Sequence, residues 1–318
     1  MSLDRRTFLV GGAAATVVAA CGGSESSGGG TGESIAAPPS TAGEVGDQGL
    51  QVAQLFSPGP YVAALPQQRL PFALVGPDGP LRGDAEPASV RVVDQNGNES
   101  TVLAAARFVP HAHEGDDGHD HVHVNDLRYY APRIDFAQPG LHRLIVEAAE
   151  GSGILEFAVV DPRDVPITAP GDPLPSFVSP TVDNPAGVDT LCTRNPPCDL
   201  HGASVDTLLA EGRPFVVLVS TPAYCHTQFC GPVLDVLIRT LEDGDWDLAA
   251  VHLEVWANPA EVDGDVSDPL IRPAPGVEAL GLEFEPVLYV VGADGVVRER
   301  IDNLYDADEL TAALATAT

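Results

Sequence analysis

Short apolar runs separated by turn-forming residues fill the chain from residue 50 to residue 162. Glycine, proline and asparagine separate the runs, as in Gly76-Pro77-Asp78-Gly79, and no long helical period intervenes. Several short strands at such spacing are typical of an antiparallel β-sandwich. The pattern therefore predicts an all-β domain over residues 50–162, with strands at 61–65, 72–75, 90–94, 141–146 and 155–160.

The pattern changes after a proline-rich connector, and residues 163–318 alternate continuous apolar runs with amphipathic stretches. A continuous apolar run is typical of a buried parallel strand, whereas apolar residues at helical spacing indicate a helix. The predicted order is strand, cysteine segment, helix, strand, helix, hairpin and helix. We expect an α/β domain with its core at 213–318, strands at 215–220, 248–255, 286–291 and 296–301, and helices at 233–241, 277–282 and from 306.

The N-terminus carries the pattern of an export signal. Within residues 1–21, Arg5-Arg6 precedes an apolar run too short to cross a bilayer as a permanent helix. The arginine pair resembles a twin-arginine export signal, and Val18-Ala19-Ala20-Cys21 resembles a bacterial lipobox, in which Cys21 is lipidated. Residues 22–49 are Gly/Ser-rich and are expected to form a flexible tether. We therefore expect an exported protein, anchored by lipid at the extracytoplasmic face of the cell membrane, with an uncleaved anchor helix as the alternative.

The charge of the chain limits its partners. The formal net charge is −30, and all 16 basic residues are arginine. Because like charges repel, nucleic acid and anionic headgroups are excluded as expected partners.

A histidine-rich loop lies inside the first domain. Its imidazoles, together with nearby carboxylates, suit Cu(II), Zn(II) or Ni(II), and His-x-His in an extended strand places both rings on one face. The alternative is a solvated acidic loop that takes up metal weakly. The candidate metal ligands are His111, His113, His119, His121 and His123.

Cys225 and Cys230 follow a buried strand and precede a helix. Unpaired backbone N–H groups and the helix dipole stabilise a thiolate at such a position, which favours reactivity at Cys225. Residues five apart in an ideal helix lie roughly 8–9 Å apart, too far for a disulfide, so bonding requires an irregular first turn. Gly231-Pro232 favours that irregularity.

A second pair, Cys192 and Cys198, flanks two prolines in a short loop. The pair is predicted to form a structural disulfide, whose small loop contributes under about 3 kcal/mol. The alternative is a relay that passes electrons to Cys225 and Cys230. His201, three residues after this loop, is interpreted as a capping or surface residue.

The chain from Phe215 to its C-terminus resembles the thioredoxin-like superfamily. The resemblance depends on the cysteine after the first strand, a proline seven residues beyond it, and Glu285-Pro286 before the third strand. In that superfamily the matching proline is cis and lies against the redox cysteines, so the resemblance implies this role for Pro286. The whole chain resembles actinobacterial envelope lipoproteins that join an Ig-like β-sandwich to a thioredoxin-like α/β domain and carry the pattern TPAxCxxxxCGPV.

These features predict a membrane-anchored thiol–disulfide oxidoreductase, in which Cys225 attacks and Cys230 resolves the mixed disulfide. The partners would be thiols and disulfides of envelope proteins and a membrane redox protein, with no cofactor required. One alternative is a peroxidase like the bacterioferritin-comigratory peroxiredoxins, although Pro222 replaces their threonine. Others are a Sco-like copper chaperone using His201 or His252, a non-enzymatic copper- or zinc-binding protein, and a purely structural disulfide.

Overall fold

A computed structural model describes residues 50–55, 63–108, 127–164, 168–225 and 229–317. These residues belong to one compact unit, Ala37–Thr318. The predicted signal, lipobox and tether at 1–49 and the five histidines of the histidine-rich loop lie outside the described residues. Within the described ranges, no helix combines the length and the apolar character that a membrane span requires.

Two antiparallel sheets account for the first part of the chain. One has the strand order β1-β3-β8-β7 with β4 paired to β3, the other has the order β11-β10-β5-β6, and β2 pairs with β9 separately. The strands are β1 Gln51–Gln54, β2 Gln68–Arg69, β3 Phe72–Gly76, β4 Gly79–Pro80, β5 Ala88–Asp94, β6 Glu99–Ala104, β7 Ala106–Phe108, β8 Arg128–Tyr130, β9 Arg133–Ile134, β10 Gly140–Ala148 and β11 Gly151–Val159.

The two sheets enclose one hydrophobic core. Phe72 and Tyr130 from the first sheet pack in the same cluster as Val90, Leu144 and Phe157 from the second. Along β10, buried and more exposed residues alternate, as expected for a strand with one face on a core. The all-β character predicted for residues 50–162 agrees with these strands, while the Ig-like class stays a prediction.

The structure differs from the first predicted strand and adds seven strands that were not predicted, β1, β2, β4, β6, β7, β8 and β9. Residues 61–62 of the predicted strand 61–65 lie outside the described residues, and Ala63 forms an isolated bridge with Val160. Strand β6 was not predicted, because most of its residues are exposed and its sequence, Glu99–Ala104, has no apolar alternation at its start. Pairing with β5 along its whole length places it in the sheet.

A four-stranded mixed sheet organises the second part, in the order β13-β12-β14-β15. Strand β12 is parallel to β13 and antiparallel to β14, which is antiparallel to β15. Helices α2 and α4 pack on one face and α1 and α3 on the other. The elements are α1 Val205–Glu211, β12 Phe215–Val219, α2 Cys230–Asp243, β13 Ala249–Leu253, α3 Pro275–Leu280, β14 Val287–Val291, β15 Val297–Asp302 and α4 Ala307–Leu314, with 3-10 turns at Pro162–Asp164 and Pro259–Val262.

Local chemistry sets the ends of two helices where the sequence predicts them. Gly281 adopts φ 63° at the end of α3, a left-handed conformation that glycine takes without steric cost. Asp306 precedes α4, and its carboxylate accepts a hydrogen bond from the Glu309 N–H. The predicted glycine stop and acidic helix start therefore agree with the structure.

A buried ion pair joins the two parts of the chain. Arg69 donates from Nε to Glu309 Oε1 at 2.7 Å and from Nη2 to Oε2 at 2.9 Å. The same guanidinium donates to the backbone carbonyls of Asp302 and Leu304, and the Tyr129 hydroxyl donates to Glu309. Both charged side chains are less than a tenth exposed. The predicted division at 162/163 stays a prediction, and this contact crosses it.

Candidate functional site

The predicted redox cysteines lie between β12 and α2 and are joined by a disulfide. Cys225 lies outside the helix, and Cys230 is the first residue of α2. Because Cys225 is not part of the helix, the two Cα atoms come within 5.9 Å, inside the range that a disulfide requires. The helix begins at Cys230, two residues before Pro232, so the disulfide forms because Cys225 precedes the helix and not through the irregular first turn that the sequence predicted.

The two sulfurs have different environments. Cys225 is half-buried, whereas Cys230 is fully buried beneath it. The Cys230 backbone N–H donates to Cys225 Sγ at 3.2 Å, so the sulfur receives a hydrogen bond from the positive end of α2. A thiolate formed at Cys225 would be stabilised by this N–H and by the helix dipole.

A buried carboxylate lies beside the disulfide. A Glu285 carboxylate oxygen and the sulfurs of Cys225 and Cys230 all lie within 4.8 Å of one another, and Glu285 is 7% exposed. Glu285 is joined to Pro286 by a cis peptide bond. Strand β14 begins directly after Pro286, and its first residue pairs with Val219, the last residue of the strand that leads to Cys225.

The second cysteine pair differs from its prediction. Cys192 and Cys198 are free thiols with their sulfurs 3.7 Å apart, instead of the structural disulfide expected from their spacing. Two histidines contact the same sulfur: Cys198 Sγ lies 3.3 Å from His201 Nε2 and 3.5 Å from His252 Nδ1. The four ligand atoms are within 4.8 Å of one another. We call Cys192, Cys198, His201 and His252 the Cys2His2 cluster.

Burial and hydrogen bonds hold the Cys2His2 cluster together. His252 is fully buried on β13, and its Nε2 lies 3.1 Å from the Ser220 carbonyl oxygen. The Cys198 N–H donates to Cys192 Sγ at 3.4 Å. The hydrogen bond between the two thiol groups, with smaller contributions from the two histidines, lowers the pKa of the Cys192 thiol, and the same thiol–thiol bond raises the pKa of Cys198.

The loop at 192–198, which we call the cluster loop, is attached to its surroundings and to the residues that lead to Cys225, which we call the redox segment. Thr193 donates to the buried Glu254 carboxylate from its N–H at 2.6 Å and from Oγ1 at 2.9 Å, and burial raises the pKa of Glu254. Arg194 pairs with Asp235 of α2 at 2.7 Å. Thr193 Oγ1 also accepts the Ala223 N–H at 3.1 Å, which links the loop to the segment before Cys225.

The sequence interpretation of His201 was wrong, because its side chain is 4% exposed and contacts Cys198 rather than solvent. His252 was considered only as a partner for copper at the redox cysteines, and the structure places it beside Cys198 instead. A usable signal was present in both cases. Cys198-Asp199-Leu200-His201 has ligand spacing, and His252 interrupts an otherwise apolar buried strand.

No protein-family model and no curated protein matches this chain. Among solved structures, the chain is similar to one described as "Biofilm associated protein - BSP domain", with 15% sequence identity and a TM-score of 0.21. The match covers 42% of this chain and 17% of the other. A likeness at that TM-score identifies neither a fold nor a function.

Proposed function

We propose that this chain is an exported, lipid-anchored thiol–disulfide oxidoreductase that acts through Cys225 and Cys230. The observation that carries the proposal is the asymmetry of the disulfide at the start of α2, where Cys225 is half-buried and Cys230 fully buried. A substrate sulfur reaches the outer cysteine first, and the inner cysteine stays protected from external thiols. This is the division of roles that exchange through a mixed disulfide requires.

The proposed domain classes fit the same assignment. The order strand, cysteine pair, helix, strand, helix, hairpin and helix, with a cis proline before the third strand, is the order that a thioredoxin-like domain over 213–318 would have. The two packed antiparallel sheets of 50–162 support an Ig-like sandwich in front of it. Both classes are part of the proposal.

The exchange proceeds from the disulfide state as follows. A thiolate of a substrate dithiol attacks Cys225 Sγ, the bond to Cys230 breaks, and Cys230 leaves as a thiolate. The second substrate thiolate then attacks the substrate sulfur of the mixed disulfide and releases Cys225 as a thiolate. The substrate loses two electrons and becomes a disulfide, and the Cys225–Cys230 pair gains them. The reverse sequence reduces a substrate disulfide.

Glu285 is proposed as the proton carrier for the inner sulfur. Its carboxyl group lies within 4.8 Å of both sulfurs and is shielded from solvent. When Cys230 leaves as a buried thiolate, a proton from the Glu285 carboxyl group neutralises it. Without that proton, an unpaired charge would remain buried, which is costly. In the reverse direction the same carboxylate would accept the Cys230 proton.

The substrate class follows from the proposed location. A chain exported by the predicted signal and held at Cys21 meets envelope proteins, in a compartment where disulfides form and persist. We propose envelope protein thiols and disulfides as substrates and a membrane redox protein as the partner that resets the Cys225–Cys230 pair. The net charge of −30 does not favour nucleic acid as a further partner.

The first test is a redox titration of the full chain in a series of dithiol buffers, with thiol alkylation and mass spectrometry at Cys225 and Cys230. We expect a midpoint between about −120 and −270 mV, the range of working exchange catalysts. A midpoint below about −300 mV would mark the bridge as structural and overturn the proposal.

The second test separates the roles of the two cysteines. The Cys230→Ser variant should accumulate mixed disulfides with envelope proteins through Cys225, because the resolving thiol is missing. The Cys225→Ser variant should not accumulate them, since Cys230 is buried. The doubly substituted chain is the matched control for bonds formed by Cys192 or Cys198. Equal trapping by the two single variants would contradict the role assignment.

A further inference from the structure

We infer that the Cys2His2 cluster is a buried metal site that binds one Zn(II) ion through Cys192, Cys198, His201 and His252. This site is independent of the proposed exchange chemistry, because it shares no cysteine with the Cys225–Cys230 pair. It also shares no residue with the histidine-rich loop. The inference is based on the distances, the burial and the donor atoms of these four side chains.

Three of the six distances between ligand atoms match a tetrahedral centre, and the other three are within 4.8 Å. With Zn–S near 2.3 Å and Zn–N near 2.0–2.1 Å, an ideal tetrahedron places two sulfurs about 3.8 Å apart and a sulfur about 3.5–3.6 Å from a nitrogen. The sulfurs of Cys192 and Cys198 are 3.7 Å apart. Cys198 Sγ lies 3.3 Å from the His201 nitrogen and 3.5 Å from the His252 nitrogen. Each of these three distances is within about 0.3 Å of its ideal value.

The charge of the site favours a divalent ion. Two thiolates and two neutral imidazoles carry a charge of −2, which one Zn(II) ion neutralises. Three of the four side chains are at most 9% exposed, and the fourth, Cys192, is half-buried. Because an unpaired charge is costly in such surroundings, a neutral complex is the arrangement in which both sulfurs can be ionised together.

Outer contacts orient the ligands. The ring of His252 turns Nε2 towards the Ser220 carbonyl oxygen at 3.1 Å and Nδ1 towards Cys198 Sγ. When Nε2–H donates to that carbonyl, the lone pair of Nδ1 points into the cluster, as for histidines that bind metals. The Cys198 N–H donates a hydrogen bond to Cys192 Sγ, which helps to fix the orientation of that sulfur. The ligands therefore have supported orientations before an ion arrives.

The donor set and geometry select Zn(II). Four-coordinate sites with two sulfurs and two nitrogens are typical of structural zinc, whereas Mg(II) and Ca(II) require oxygen ligands. The four protein ligands leave no position open for a substrate, so we assign the ion a structural role. It would join the loop at 192–198 to β13, two segments that lie far apart in the sequence.

The test measures the zinc content of the full chain after the five histidines at 111–123 are changed to asparagine, which removes the competing imidazole ligands of the histidine-rich loop. Purified with Zn(II) and dialysed, this background should retain about one zinc per chain. Cys198→Ser in the same background should lose that zinc. Cys225→Ser, the matched control, should keep it because Cys225 lies outside the cluster. Equal zinc in the Cys198→Ser chain, or none in the background chain, overturns the inference.

A second measurement requires no substitution within the Cys2His2 cluster. Co(II) bound to the background chain should show the visible bands of tetrahedral cobalt and a sulfur-to-metal charge-transfer band. In the zinc form, Cys192 and Cys198 should resist alkylation and become alkylated after a chelator is added, without a reductant. If the two cysteines instead require a reductant before they react, they form the disulfide that their spacing first suggested, and the zinc site is refuted.

Discussion

Replacing Arg69 by methionine tests how much the buried ion pair with Glu309 contributes to the stability of the folded chain. Methionine keeps most of the side-chain length and removes the charge. The substitution leaves Glu309 with a hydrogen bond from Tyr129 at 3.2 Å and removes the donors to the carbonyls of Asp302 and Leu304. Removing one partner of a buried ion pair lowers the free energy of unfolding by about 3–5 kcal/mol, because an uncompensated buried charge remains.

Guanidinium unfolding at neutral pH measures this loss, and two further variants calibrate it. Arg133→Met breaks the Arg133–Glu299 pair, whose side chains are 40% and 17% exposed, and should cost less than about 1 kcal/mol. The double variant Arg69→Met with Glu309→Gln removes both charges and should be more stable than Arg69→Met alone by about 1–3 kcal/mol. A cost for Arg69→Met no larger than that for Arg133→Met would refute the reasoning.

The effect of pH has a definite sign. Burial alone would raise the pKa of Glu309. The charge and hydrogen bonds of Arg69, with smaller contributions from Arg107 and Tyr129, outweigh burial, so the pKa lies below its ordinary value of 4.5. A lowered pKa in the folded state gives stability that is fully present above pH 4.5 and is lost as the pH falls through the lowered value. In Arg69→Met the main cause of that lowering is gone, and only the contributions of Arg107 and Tyr129 remain. The difference in stability between the two chains should therefore shrink as the solution is acidified.

Two further predictions concern the packing of two helix glycines and the hydrogen bond between Thr193 and Ala223. Thermal unfolding of Gly276→Ala should show a loss of stability of about 1–3 kcal/mol, because the new Cβ would meet Leu253 Cδ1 at 2.8 Å. In Gly231→Ala the new Cβ meets no atom within 4 Å, so the stability should be unchanged or higher by up to about 1 kcal/mol. Thr193→Val removes the acceptor of the Ala223 N–H and also the Oγ1 donor to Glu254. Loss of the bond to Ala223 should change the alkylation rate of Cys225 in the reduced chain about fivefold, the equivalent of one hydrogen bond near 1 kcal/mol. An unchanged rate would show that the cluster loop does not position the redox segment, and equal stability of the two alanine variants would contradict the packing argument.

The elements that the sequence predicts well are those in which local pattern and tertiary environment agree. The run Phe215–Val219 is apolar throughout because it is buried on both faces of the mixed sheet. The helix at 275–280 ends at Gly281, where a residue with positive φ is needed. In both places a few neighbouring residues contain the whole signal. Strand β6 lacks such a signal, because pairing with β5 and not its own pattern makes it a strand.

The Cys2His2 cluster could not be assembled from local spacing. Cys192 and Cys198 have the same spacing whether they form a disulfide or bind a metal, so sequence alone leaves the two chemistries open. The deciding residue is His252, which is 54 positions from Cys198 and reaches it through the parallel pairing of β12 with β13. That pairing aligns Leu218 with His252 and depends on the whole sheet. Long-range register is the information that the local pattern does not contain.

The two cysteine pairs have opposite designs, and this difference argues for opposite roles. In one pair the outer sulfur, Cys225, is half-buried before a helix, with a carboxylate nearby, and the geometry allows another sulfur to approach. In the other pair, histidine nitrogens lie where an approaching sulfur would have to go, and the nearest neighbours of Cys198 Sγ are already ligand atoms. An exchange catalyst must expose one sulfur, whereas a closed metal site must enclose its ligands. A single chain can carry both, because Thr193 joins the two segments by one hydrogen bond without sharing a cysteine between them.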